Sequence, residues 1–155
     1  MDPALSGLAY AAVWLRSEGL PRLLLRSDMR AVPLKSGTFD CVISTYVLHH
    51  GTLAMIDRAF QEVRRLLVRG GILLALVQSK QDWKYRIGRQ VETDTFVPDV
   101  GDEAGLLHHF FDRRGIEDLL RGFSILRIAP EEWYEKLPSG RTIRHGHWDV
   151  LAEKE

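Results

Sequence analysis

The most regular pattern of apolar and polar positions lies between Phe39 and Val77. Cys41, Val42 and Ile43 are consecutive apolar residues rather than an alternating set, which predicts an interior strand covered on both faces of a parallel sheet. From Leu53 the apolar positions 53, 56, 60, 63 and 67 recur in steps of three and four, while Asp57, Arg58, Gln61, Glu62, Arg64 and Arg65 fill the other side. This predicts a helix with one stripe on the sheet, a wet face holding Arg58, Arg64 and Arg65, and a one-turn Glu62–Arg65 ion pair. Gly70 is expected to end the helix in a left-handed turn, and residues 72–77 return as the next parallel strand through a right-handed crossover.

On either side the pattern is more broken. Asp2-Pro3 reads as an N-cap followed by proline, opening a helix that carries Leu5, Leu8, Ala12 and Leu15 and stops at Gly19. A short apolar run, Leu23, Leu24 and Leu25, ends at Arg26-Ser27-Asp28, and Pro33 and Gly37 punctuate the loop before Phe39. After residue 78 the chain turns polar, aromatic and irregular as far as residue 105. Asp112 then caps a short helix with Ile116, Leu119 and Leu120; strands follow at residues 123–129 and near 148–152, joined through a turn at Pro138, Ser139 and Gly140. The predicted fold class is α/β, a mostly parallel doubly wound sheet finishing in a C-terminal antiparallel hairpin. It forms a single domain over residues 1–155, with residues 78–111 as an irregular lid inserted in it.

Composition bounds the setting. A chain of 155 residues, 45% hydrophobic and 27% charged, is ordinary for one globular domain. Its 21 basic and 21 acidic residues cancel, so no global field draws it to nucleic acid or an anionic membrane. The single cysteine, Cys41, allows no internal disulfide, and the longest apolar run, residues 72–77, is far too short to cross a bilayer. The expectation is a cytoplasmic protein without a membrane partner.

The run SDMRAVPLKSGTFDCVISTYVLHH with EVRRLLVRGG, and later HHFFDRRGIEDLLRGFSILRI and HGHWDVLAEK, resembles the central and C-terminal parts of class I S-adenosylmethionine-dependent methyltransferases, a Rossmann-like family. DPALSGLAYA is similar to the family segment that follows its second strand, with Ala4 where the family often has serine. The resemblance implies S-adenosylmethionine as cofactor and methyl transfer to an acceptor as function. It implies Asp2 at the ribose, Asp28 and Met29 at the adenine, and Ser44, Thr45 and Tyr46 near the sulfonium. Asp2 reads equally well as a helix cap, Asp28 as a turn residue, and Ser44 and Thr45 as groups satisfying the backbone at a strand end.

The departure from the family lies at the start: its first strand and glycine-rich loop have no counterpart before Phe39. The expectation is an N-terminally truncated or internally started enzyme, with an unpaired edge on the strand at residues 41–45. The rival reading is a non-catalytic interaction subunit that completes its sheet with a partner chain or in a homo-oligomer.

His49 and His50 are candidates for a catalytic base, because imidazole takes up a proton near neutral pH. A metal site built from these, His108, His109, His145 and His147 is not expected: no helical H-x-x-x-H spacing is present and Cys41 lies in a strand. The segment SKQDWKYRIGR mixes cations with Trp83 and Tyr85, the chemistry of an RNA contact, or else is a solvated lid over a small-molecule acceptor; the balanced charge favours the lid. Trp133 and Trp148 are expected to pack near the last hairpin.

Overall fold

A computed structural model describes residues 1–99, 101 and 103–155; positions 100 and 102 of the expected lid lie outside the described residues. In chain order the elements are α1 (Leu5–Ser17), β1 (Phe39–Thr45), α2 (Leu53–Leu66), β2 (Leu67–Gln78), β3 (Arg89–Glu92), β4 (Thr95–Val97), β5 (His108–His109), α3 (Arg113–Leu119), β6 (Phe123–Lys136) and β7 (Thr142–Lys154).

The main sheet runs β1-β2-β7-β6, with β1 parallel to β2 and the other two pairings antiparallel. The expected terminal hairpin is present, but each of its strands is longer than the apolar runs suggested. Cross-strand pairing carries β6 and β7 out past the core, from Phe123↔Lys154 to Lys136↔Thr142, where polar residues alternate outside any apolar run. The turn between them holds Gly140 at φ 84, with its N–H donating to the Leu137 carbonyl at 2.9 Å.

The predicted amphipathic helix is α2. The Thr52 hydroxyl caps it by accepting from the Met55 N–H at 3.4 Å, and Ile56, Phe60 and Val63 are buried. Together with Ile116 and Leu119 of α3 they join one core cluster with Leu73, Ala75 and Val77 of β2 and Val150 and Ala152 of β7. Burying each large side chain of this kind stabilises the fold by about 1.5–3 kcal/mol. The helix stops at Leu66, earlier than expected: Leu67 is already extended at φ −69, ψ 142. Gly70, at φ 76, therefore serves a bulge where the β1–β2 register jumps from Phe39↔Leu67 to Cys41↔Ile72.

Glu62 is a second correction. It is buried rather than wet, accepting from the Val32 N–H at 3.0 Å and from Arg65 at 3.0 and 2.8 Å, while Arg65 also donates to the carbonyls of Val32 and Leu34. The pair clamps the loop before β1 onto α2.

The interior position expected for the 41–45 strand is not met. β1 is an edge strand among the described residues, with Cys41 exposed and Ile43 69% exposed. Val42 of its apolar run packs against the core cluster, while Cys41 and Ile43 lie on the opposite, exposed face, and nothing described pairs with the strand's other edge. α1 has no buried residue, and Leu5, Tyr10, Val13 and Trp14 are exposed. Asp2 does not cap α1, whose N-cap is Ala4. Instead it forms an isolated parallel bridge with Arg26, its N–H donating to the Leu25 carbonyl at 3.2 Å and its carbonyl accepting from the Ser27 N–H at 3.3 Å.

The expected irregular lid is partly ordered. β3, β4 and β5 form a small antiparallel sheet of their own, with Asp94 in the left-handed region (φ 60) at the two-residue turn between β3 and β4. Ser79 bridges Phe111, tying this layer to the end of β2.

Candidate functional site

The carboxyl end of β1 carries three irregularities. The Ser44 hydroxyl is buried with no hydrogen-bond partner among the described residues. Tyr46 has φ 59, a conformation that costs a bulky residue about 1–3 kcal/mol and persists where the surroundings impose it. The chain then turns sharply, and Leu48 and His49 become buried while His50 is half-buried. In an open sheet this end of a parallel strand is where ligands bind.

A cavity of about 220 Å³ opens beside it, lined among others by Tyr46, His49, Gln78, Lys84, Trp133 and His147. Its walls come from distant segments. Tyr46 meets the His147 ring edge-on at 4.7 Å, and Trp133 stacks on His145 and His147 with 4.9 Å between centroids. Trp133 is thus part of the cavity wall, whereas Trp148 packs on the core and its indole N–H donates to the Phe111 carbonyl at 3.0 Å. Asp82, buried at the base of the loop, accepts from the Gly146 N–H at 3.0 Å and the Lys84 N–H at 2.8 Å, which holds that loop against β7. An apolar hollow of about 410 Å³, lined by Trp83, Ile87, Phe96, His108 and Phe110, adjoins the cavity, and the ion-paired Lys84 and Glu103 line both.

The cavity is rich in imidazole held neutral. Burial, then the neighbouring His50 and His108 rings, push His49 well below the ordinary histidine range. Burial likewise takes His108 down to about 4, with His50 adding to the effect and Glu103 opposing it. His147 is also lowered, mainly by burial. Three ring nitrogens, one each from His49, His50 and His108, lie within 4.8 Å of one another.

The remaining sequence candidates sit apart. The bridge to Arg26 sets Asp2 beside the segment that leads to Asp28, and the Asp2 carboxylate accepts from the Ala4 N–H at 2.7 Å. Asp28 is bound to Arg30 by 2.9 and 2.5 Å contacts and by its backbone N–H at 2.8 Å; these hydrogen bonds hold its carboxyl at about 2. Met29 packs against the main core cluster. No hydrogen bond among the described residues joins this group to Ser44, Thr45 or Tyr46; Thr45 lies exposed at the strand end, and Tyr46 is anchored by its N–H to the Leu76 carbonyl at 3.1 Å.

Sequence reasoning missed Gln78, Lys84, Glu103, His108 and His147 as one group. The motifs HHFF and HGHW were visible, but nothing local indicated that they face each other. Two of the four cations of the 80–89 segment are ion-paired within the molecule: Lys80 pairs with Asp94 and Asp112 at 2.7 and 2.9 Å, and Lys84 with Glu103. No helix of the described residues is long and apolar enough to cross a membrane.

A methyltransferase-domain family model matches residues 1–75. The chain is 28% identical over 117 residues to a protein of Encephalitozoon cuniculi (strain GB-M1) named as a methyltransferase, covering 70% of this chain and 56% of that protein. It is 29% identical over 121 residues to the malonyl-[acyl-carrier protein] O-methyltransferase of Geobacter sulfurreducens, covering 77% of this chain and 44% of that one. The chain thus spans about half the length of the curated relatives it matches. Among solved structures, a SAM-dependent methyltransferase from Methanosarcina mazei superposes with a TM-score of 0.76 at 20% identity, over 99% of this chain and 79% of the other. A second, from Clostridium acetobutylicum, gives 0.68 at 17% identity, over 99% and 73%.

Proposed function

We propose that this chain is a class I S-adenosylmethionine-dependent methyltransferase, with S-adenosylmethionine as its cofactor, that transfers a methyl group to a small-molecule acceptor held between β1, the 78–111 lid and β7; the methyltransferase-domain match over residues 1–75 and the fold shared with solved methyltransferases support this reading. The observation that carries this reading is the partnerless buried Ser44 hydroxyl beside the strained Tyr46, at the strand end that opens onto the histidine-lined cavity.

The residues present fit part of the cofactor. Asp2 would accept from the ribose hydroxyls and Asp28 from the adenine amine, with Met29 against the ring. Ser44, Thr45 and Tyr46 would face the donor end, where the unsatisfied Ser44 hydroxyl has free hydrogen-bonding capacity. Bound there, the sulfonium supplies an already activated methyl group, so positioning and exclusion of water carry most of the work left to the protein. The imidazole of His49 or of His50 would take a proton from the acceptor. The cavity and its adjoining hollow, about 220 and 410 Å³, suit a small molecule, and the internal pairing of Lys80 and Lys84 disfavours a phosphate backbone.

No glycine-rich loop between a strand and a helix precedes β1 among the described residues. We propose that the strand bearing this loop takes the unpaired edge of β1, completing the sheet between it and the Asp2–Arg26 bridge.

The direct test incubates the completed protein with methyl-tritiated S-adenosylmethionine and separate small-molecule and RNA fractions. Label should appear in the small-molecule fraction and be lost in Asp28→Ala; label in RNA alone, or none anywhere, overturns the reading. The chain as described should bind S-adenosylmethionine weakly or undetectably, and a calorimetric affinity in the micromolar range would remove the need for the added strand.

A further inference from the structure

His49 and His50 follow β1, and His108 begins β5, fifty-eight positions beyond His50, yet their rings cluster: centroids are 4.3 Å apart for His49–His50, 4.7 Å for His50–His108 and 5.9 Å for His49–His108. No hydrogen bond links any ring to another among the described residues. Two ring nitrogens are orphaned in the interior: Nδ1 of His49, a residue 3% exposed, and Nε2 of His108, a residue 1% exposed. A buried polar atom without a partner is costly, so histidines present only for packing would leave this cost unexplained.

The outer hydrogen bonds sort the tautomers. His50 Nδ1 lies 3.3 Å from the Leu107 carbonyl and His108 Nδ1 lies 3.2 Å from Gln78 Oε1. Both partners are acceptors, so each Nδ1 carries the proton and each Nε2 presents a lone pair. A carbonyl or amide oxygen behind one ring nitrogen, with the other ring nitrogen free, is the arrangement that orients histidines as metal ligands. We propose that His49, His50 and His108 bind a divalent first-row transition ion of the zinc class, which imidazole donors suit.

Tetrahedral coordination with Zn–N bonds of about 2.0–2.1 Å brings ligand nitrogens to about 3.4 Å from one another. The three lie within 4.8 Å, so binding requires the rings to draw inward, with His50 the one half-buried ring among them. The backbone already fixes the two carriers together, since the His109 N–H donates to the His49 carbonyl at 2.9 Å. Glu103, whose carboxylate is 3.7 Å from His108 Nε2, adds negative charge beside the site, and Lys84 neutralises it in the absence of an ion. Three protein ligands leave a fourth position open, the form of a catalytic rather than a structural site. Metal binding itself does not depend on the methyl-transfer reading.

The test uses the full chain, stripped with a chelator and titrated with Zn²⁺ against a chromophoric competitor, and separately with Co²⁺ while recording its visible spectrum. One equivalent of Zn²⁺ is expected, with the intense d–d bands of tetrahedral Co²⁺. His108→Phe and His50→Ala should each weaken binding by at least about 100-fold, and Gln78→Leu by about 10- to 100-fold, the usual effect of losing an outer-shell partner. His145→Ala, which removes the imidazole bound to Glu135, should bind as the parent does. If His108→Phe does not fold by circular dichroism, His50→Ala, at the half-buried position, decides. Binding that survives His50→Ala, binding no tighter than that of a surface imidazole, or an octahedral Co²⁺ spectrum would overturn the proposal.

Discussion

The N–H of His109 donates to the carbonyl of His49 at 2.9 Å, joining the strand that carries His108 to the turn that carries His49 and His50. This single main-chain bond crosses sixty positions of sequence and fixes the histidine wall of the cavity. His109 is held in turn by Thr95. The Thr95 hydroxyl donates to Glu92 Oε1 at 3.0 Å, so His109 Nδ1–H must be the donor in their 2.7 Å contact. Thr95→Val keeps the shape and orphans that buried donor, and it should cost about 1–3 kcal/mol in urea unfolding. Amides of β4 and β5 should exchange faster than those of α2.

Acid should destabilise the metal-free protein in two stages. His108 is lowered from 6.5 to about 4 by burial, with His49, His109 and His147 lowered for the same first reason. A depressed folded-state value means that the unfolded chain takes up protons first, so this stability is complete above about 6.5 and is lost as pH falls toward 4. Glu62, depressed chiefly by its Arg65 hydrogen bond, acts in the same direction below its ordinary value of 4.5. Unfolding free energy measured in chelator should fall steadily from pH 7 to 4; a flat profile would contradict the neutral buried imidazoles.

Glu62→Ala removes the acceptor of the Val32 N–H and of two Arg65 contacts. The expected loss is about 2–3 kcal/mol, since a buried donor and a half-buried cation lose their partner. Loosening of the 32–37 loop should appear as faster hydrogen exchange there.

Asp28 and Arg30 form a surface pair, with side chains 44% and 40% exposed. Arg30→Ala should therefore change stability by less than about 1 kcal/mol, while the Asp28 carboxyl, followed by NMR, rises from about 2 toward 3.8.

The open edge of β1 predicts self-association. Ile43, 69% exposed, lies on that strand, and a lysine there places charge on an unpaired edge without disturbing the core. Ile43→Lys should reduce light scattering of the concentrated chain and leave its unfolding midpoint nearly unchanged. Equal scattering from both would show that the edge is not the site of association.

The sequence by itself determined the local elements and their family likeness. The 3.6-residue stripe through Ile56, Phe60 and Val63 dictates α2, the Asp112 side chain caps α3 by accepting from the Gly115 N–H at 2.9 Å, and Gly140 turns the last hairpin, because periodicity, caps and left-handed glycines act over a few residues. Tertiary structure alone decided what is exposed and what meets what. Whether Cys41 and Ile43 lie inside depends on what packs over their face of the sheet, whether Glu62 is wet depends on the loop folded over it, and His108 is brought to His49 and His50 by the strand that pairs with β4. Burial and long-range approach are set by the packing of segments far apart in the chain, and no local pattern of residues records them.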